Sequence, residues 1–499
     1  MHVQQTVQSK REAYHFAMRN FRVFVIHAAV LLALASSGHA AAQVLPDLGD
    51  SAQAGLSPQL ERKVGESIMR DYRRDPDFID DPEVIAYINS VGQALVSVSV
   101  DAGREFEFFV VRDPSINAFA MPGGYVGVHS GLILSAQAES ELAGVLAHEV
   151  SHVTQRHIAR QVDKSDKMQW PMIAAMVAGL LAARSNPQVA QAAIVTSQAG
   201  MMQSQLNYSR DFEREADRVG FTLMTPAGFD PTGMAQFFER LQKANRLAES
   251  NAPVYLRTHP LSTERMADMQ ARAADTEYRQ RPDSIEFQLV RARLRSETGL
   301  PQDAVALFQR QLKEDRYLSK VSAHYGLALA RLRTHDPKQA LDSLHAAEAI
   351  AGPHPMFATL AARIHRERGD LLAARDDITR AVATWGQRSY LVYEQALTLQ
   401  ALGDHLAAVA VLDALLRNHP HDVLAWHMIA QSHAALGHVA LQHRAQGEAY
   451  ALSGSLADAI DQLQSAQRAR DGDLYLMAAV DTRLSELKGL YAEERAARR

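Results

Sequence analysis

The 499-residue chain contains no cysteine. That excludes disulfides, thiolate metal sites and lipid-modified cysteines, so any bound metal must be held by His and Asp/Glu. Strong charge of one sign is missing as well. A formal net charge of −5 gives no reason to expect nucleic acid as a partner. Beyond the N-terminal segment, long apolar runs are lacking too. The stretch Met168–Met202 is Ala-rich, but its apolar heart, Met172–Leu181, is short of the roughly 20 residues that a membrane span needs. What remains is the composition of an ordinary folded protein, long enough for two or more domains.

The N-terminus carries Lys10, Arg11, Arg19 and Arg22, then an apolar core from Val23 to Ala35, then small residues through Ala42. This layout is that of a secretory signal peptide over 1–42, with cleavage choices ending at Ala40 or Ala42. An uncleaved anchor is the alternative. The stretch before the core is long for such a segment, and a start at Met18 would shorten it. The mature chain is expected in the periplasm. For Met168–Met202, plain packing is expected as a buried helical hairpin. The functional alternative is a mobile lid or a peripheral membrane contact, since Met-rich surfaces adapt to varied partners.

A helical run from about Ser135 to Asp163 contains His148-Glu149-x-x-His152. Four residues apart on a helix, the two imidazoles share a face and can close on one ion. Zinc suits such ligands, and a catalytic zinc keeps a further position open for water. Glu149, turned by about 100° from His148, falls beside that position and can serve as general base. A further protein ligand is needed. The metzincin pattern fails, because Gln155 and Ile158 stand where it requires Gly and His. His157 is one residue off and is expected to point away from the pair; His129, on a strand, is expected to be structural. A second helix around Ser209–Arg218 offers carboxylates instead. Glu213 and Asp217 share a face, so that one can ligate while the other accepts a ligand histidine's free N–H. Spacing does not decide between Glu213 and Glu215, and the remaining charges of that helix read as solvated.

Upstream, helical patterns from about Ser57 to Val98 give way to three strands. They are expected at Glu105–Val111, Asn117–Met121 and Tyr125–His129, with Pro122-Gly123-Gly124 as a tight turn. An edge strand beside a metal helix can bind an extended substrate by main-chain hydrogen bonds. Downstream, Gly369, Gly403 and Gly437 recur at 34 residues, and one step back reaches the His335-Asp336-Pro337 turn. Ala340, Ala374 and Ala408 follow this register, as do Ala328, Ala362, Ala396 and Ala430. Small residues at period 34 are the tetratricopeptide signature. Gly299-Leu300-Pro301 suggests an earlier repeat, slightly out of register. The fold class is therefore mainly α: a zincin-type α+β peptidase domain with a small sheet over 43–278, a linker near Thr276–Ser284, and an all-α repeat solenoid over 284–490.

Taken together, His148-Glu149-x-x-His152, Glu213-x-x-x-Asp217 and the stretch Asn117–Gly124 resemble the gluzincin peptidases related to HtpX and the CAAX prenyl protease. The resemblance implies one Zn²⁺ per chain on His148, His152 and Glu213, with Glu149, Asp217 and His259 as catalytic residues. Many members span a membrane several times. This chain is instead similar to a periplasmic branch that adds tetratricopeptide repeats and carries a Thr-His-Pro segment, here Thr258-His259-Pro260. In that branch His259 is implied to be a fourth zinc contact that keeps the enzyme latent until it swings away. The alternatives are transition-state stabilisation or a plain loop histidine. The implied clients are outer-membrane proteins stalled in assembly, with the repeats docking on the outer-membrane barrel-assembly machinery and chaperone-like help for clients that can still mature. The competing expectation is a repeat-domain chaperone or scaffold whose peptidase site stays latent.

Overall fold

A computed structural model describes residues 57–160, 210–247, 253–276 and 281–497. The expected signal peptide, 1–42, and the stretch Met168–Met202 lie outside the described residues. Asp50–Asp404 forms one compact unit, and His405–Arg499 belongs to a second.

The first unit opens with helices α1 (Pro58–Tyr72) and α2 (Pro82–Ser97). The α2 helix starts where it does because the Asp81 carboxylate accepts the Glu83 and Val84 N–H groups and Pro82 has no N–H to satisfy. Its Val84, Ile88, Val91 and Leu95 recur at helical spacing and are buried. The sheet follows as β1 (Glu107–Val111), β2 (Ala118–Met121) and β3 (Tyr125–His129), in the order β1-β3-β2. The central β3 runs parallel to β1 and antiparallel to β2. Between β2 and β3 the chain turns through Gly123 and Gly124, both at positive φ. A Cβ on Gly124 would stand 2.3 Å from the Glu105 carbonyl oxygen, so only glycine fits there.

The helical run expected from Ser135 to Asp163 is broken. It comprises α3 (Ser130–Ser135), α4 (Glu139–Thr154) and a further turn over 157–160. The first break leaves Ala136 extended, with the Glu141 carboxylate taking the Gln137 N–H. At the second, Arg156 adopts a left-handed φ of 53°, and its guanidinium is tied to the buried Glu61 carboxylate at 3.0 Å. Every residue of α4 except His152 is buried. A fifth helix, α5, spans 210–224, followed by α6 (Thr232–Leu247), α7 (Val254–Thr258) and α8 (Thr263–Ala274).

The repeats begin with α9 (Ile285–Ser296) and α10 (Pro301–Lys313) and continue as α11 (Lys320–Arg333), α12 (Pro337–Ala351), α13 (Pro355–Glu367), α14 (Leu371–Trp385) and α15 (Ser389–Ala401). One apolar core runs from Ile79 through to Ile364, so these first repeats pack directly on the peptidase elements. A buried polar junction helps hold them. Arg293 of α9 reaches Asp81 and Glu83 at 2.5 Å each, and Tyr325 and Thr359 also donate to the Glu83 carboxylate. The second unit contains α16 (His405–Leu416), α17 (Val423–Ala435), α18 (Val439–Leu452), α19 (Leu456–Arg468) and α20 (Leu474–Ala497). The 34-residue register holds in both units. Gly369, Gly403 and Gly437 are left-handed, as is His335 at the equivalent step, and the seven alanines in phase with them are all buried. Among the described residues no helix is long and apolar enough to cross a membrane.

Candidate metal centre

Three pieces of chain meet at the site. Helix α4 supplies His148, Glu149 and His152. Helix α5 crosses α4 closely at Gly220, where a Cβ would lie 3.0 Å from the Ala147 carbonyl and the His148 nitrogen. That approach delivers Glu213 to the imidazoles. His259, just past the end of α7, completes the group. The two histidine Nε2 atoms are 3.0 Å apart. Glu213 lies 3.3 Å from His148 Nε2 and 3.4 Å from His152 Nε2. The His259 Nδ1 is 3.3 Å from His148 Nε2 and 3.0 Å from Glu213 Oε1. For ligand bonds of the length zinc makes to nitrogen, the edge of a tetrahedron is about 3.3 Å. The donor set therefore fits such an ion in both chemistry and spacing. Glu149 is buried next to the cluster. Its Oε1 has no hydrogen-bond partner among the described residues, and it lies 3.6 Å from His259 Nε2.

Each helix histidine is backed on its far nitrogen. His148 Nδ1 meets Asp217 Oδ1 at 3.0 Å. Arg265 in turn grips Asp217 with two bonds of 2.6 and 2.8 Å, and reaches Glu213 at 3.0 Å. Burial alone would lower the His148 imidazolium; its bonds to Asp217 and Glu213 outweigh that and push it up to about 10. Burial likewise works to raise Asp217 and Glu213, yet Arg265 with His148, and the three histidines, hold them down as carboxylates. His152 has a different support. Its Nδ1 lies 2.8 Å from His157 Nδ1, and His157 Nε2 lies 3.1 Å from Glu215. Tyr255, fully buried, stacks on the His259 ring at 4.6 Å.

The structure brings His148, Glu149, His152, Glu213, Asp217 and His259 together, and His129 stands apart, bonded to Ser115. Of the two glutamates that spacing left open, Glu213 is in the cluster and Glu215 lies behind it. The expectation that His157 points away is overturned. The left-handed turn at Arg156 ends α4 and swings His157 back onto His152. Arg265 was missed, because an arginine on an amphipathic helix reads as a surface charge. Tyr255 was missed because nothing marks an aromatic beside His259 as more than core.

Residues 82–273 match the profile of peptidase family M48, and residues 289–355 and 393–442 match that of the tetratricopeptide repeat. The beta-barrel assembly-enhancing protease of Escherichia coli (strain K12) is 33% identical over 454 residues, 90% of this chain and 92% of its own length. The chain belongs to the M48 metallopeptidases. It is a metalloendopeptidase of that family with tetratricopeptide repeats added. The Yersinia pestis protein of the same name is 30% identical over 90% of this chain and 93% of its own. The mitochondrial metalloendopeptidase OMA1 of Schizosaccharomyces pombe matches 36% of this chain and 50% of its own length at 33% identity. As a metallopeptidase this chain works with a metal, and the donor cluster described above is the one such group among the described residues.

Proposed function

We propose that the chain is an exported zinc endopeptidase that degrades outer-membrane proteins stalled in assembly and helps others to mature. The convergence of His148 and His152 from one helix with Glu213 from another, at tetrahedral spacing, carries the zinc assignment. Similarity over nine-tenths of the chain to proteins named for β-barrel assembly supports the client class. In this reading residues 1–42 are a signal peptide, 43–278 the peptidase and 284–490 the repeats. The repeats dock on the barrel-assembly machinery.

Zinc, when bound, polarises the scissile carbonyl and makes water acidic enough to lose a proton near neutral pH. The chain does the rest. The edge strand β2, paired only with β3 among the described residues, offers main-chain groups to an extended client. Glu149 takes the proton from water as it attacks, then hands it to the leaving amine. Asp217, gripped by Arg265, accepts from His148 Nδ1 and so keeps Nε2 turned inward.

A second reading has one observation in its favour: His259 Nδ1 sits in the cluster as a fourth donor, where it would exclude a client carbonyl. The site is then latent and the protein acts chiefly as a chaperone. His259→Ala separates the two. A rise in cleavage of an unfolded substrate supports latency; lower cleavage assigns His259 to stabilising the reaction, and unchanged cleavage leaves it a plain loop histidine. For the main reading, the purified chain should hold one zinc, and Glu213→Ala should lose it. A zinc-free wild type, or a Glu213→Ala variant that binds the ion as tightly, would remove the proposal.

A further inference from the structure

The peptidase reaction as described leaves two buried or half-buried polar groups without a task, His157 and Glu215. We infer that His157, held by Glu215, is a positioning residue that fixes the tautomer and ring orientation of His152. The inference rests on the zinc reading above. A carboxylate only accepts hydrogen bonds, so Glu215 accepts the N–H of His157 Nε2, 3.1 Å away. With its proton on Nε2, the His157 ring presents a lone pair at Nδ1. That lone pair, at 2.8 Å, accepts the N–H of His152 Nδ1. His152 is left with its own lone pair on Nε2, the atom that faces Glu213 and His148. Direction is thus passed from Glu215 to His157 to His152, as a carboxylate passes it directly to a metal-binding histidine elsewhere.

Neighbouring side chains set the direction of the relay. The His157 ring stacks on Phe212 at 4.4 Å and 13°. Arg160 holds Glu215 at 2.8 Å and lies over the same aromatic ring, 4.7 Å from its centre. The turn that places His157 depends on a non-glycine residue at positive φ, Arg156, pinned by Glu61. A strained turn beside a site is costly unless the surroundings hold it. The arrangement also explains why α5 carries two glutamates of use: Glu213 touches the cluster from the front, and Glu215 supports it from behind.

The test uses the full chain with Glu149→Gln, so that proteolysis does not confound it, and measures zinc affinity by chelator competition and the visible spectrum of the cobalt-substituted protein. His157→Ala should weaken zinc binding about 10- to 100-fold, the range for loss of such a support, and should alter the cobalt bands. Glu215→Ala, at a partly exposed side chain, should weaken it in the same direction, and the double variant should be no weaker than His157→Ala alone. His157→Gln, whose amide oxygen can accept from His152, should recover part of the loss. Unchanged zinc affinity and cobalt spectrum in Glu215→Ala, or losses that simply add in the double variant, would overturn the relay. A parent protein that takes up no zinc would instead refute the reading on which it rests, so the two failures are distinct.

Discussion

The two helix histidines are equivalent in the motif and unlike in their support. His148 is completely buried and backed by a carboxylate that is itself locked by an arginine. His152 is partly exposed and backed by a second histidine that relays to a half-exposed glutamate. The first support is strong because each member is buried, and an unpaired buried charge costs several kcal/mol. The second is more yielding, since Glu215 keeps access to solvent. The site therefore has a fixed side, toward α8, and an adjustable side, toward the turn at Arg156. Neither side does chemistry without Glu149, which gives the first way to sharpen the contrast. Glu149→Gln should leave both supports and the zinc in place while peptide cleavage falls by about a hundredfold to ten-thousandfold. Retained cleavage with bound zinc would show that the general base lies elsewhere.

The fixed side predicts the next largest effect. Arg265→Met strands the Asp217 and Glu213 carboxylates and should cost about 3–5 kcal/mol of stability, as breaking a buried pair does. Adding Asp217→Leu should recover part of this loss, measured by denaturant unfolding. If Arg265→Met is nearly neutral, the distinction between a rigid and an adjustable side disappears.

How legible these features were follows from how far their causes lie along the chain. The motif spacing within α4 and the three strands are local patterns, and they stood in the sequence almost where the structure has them. The repeats were legible for the same reason: a residue such as Ala374 recurs in phase and meets mainly the neighbouring helices. The fixed side was only half legible. Glu213 and Asp217 share a helix face, but Arg265 arrives from 48 residues further on, and no local pattern distinguishes it from the partly exposed Arg272. The adjustable side was misjudged, because it depends on a left-handed turn at an arginine, where helix periodicity predicts continuation. The repeats test the local half of this contrast. Ala374→Leu inserts volume where Ala362, Ile378 and Ala381 already close the core, and should cost about 1–3 kcal/mol. A neutral result would mean the 34-residue alanines mark register without tight packing.

The smallest expected effect concerns the one turn at which the repeat register lacks its glycine. His335 holds φ at 57°, where Gly369, Gly403 and Gly437 hold 74–81°. A side chain in the left-handed region costs about 1–2 kcal/mol, and glycine's greater freedom when unfolded returns about 0.5–1 kcal/mol of that. The contact of His335 with Glu367 spans 3.2 Å, but the imidazole is almost wholly exposed, so its loss should matter little. His335→Gly should therefore stabilise the chain, by up to about 1 kcal/mol, read as a rise of a few degrees at most in thermal unfolding. The gain would arise from backbone conformation, with the packing between the helices unchanged. A loss of stability would instead assign the His335 ring a packing role against α13, and the turn would no longer be the equivalent of its three successors.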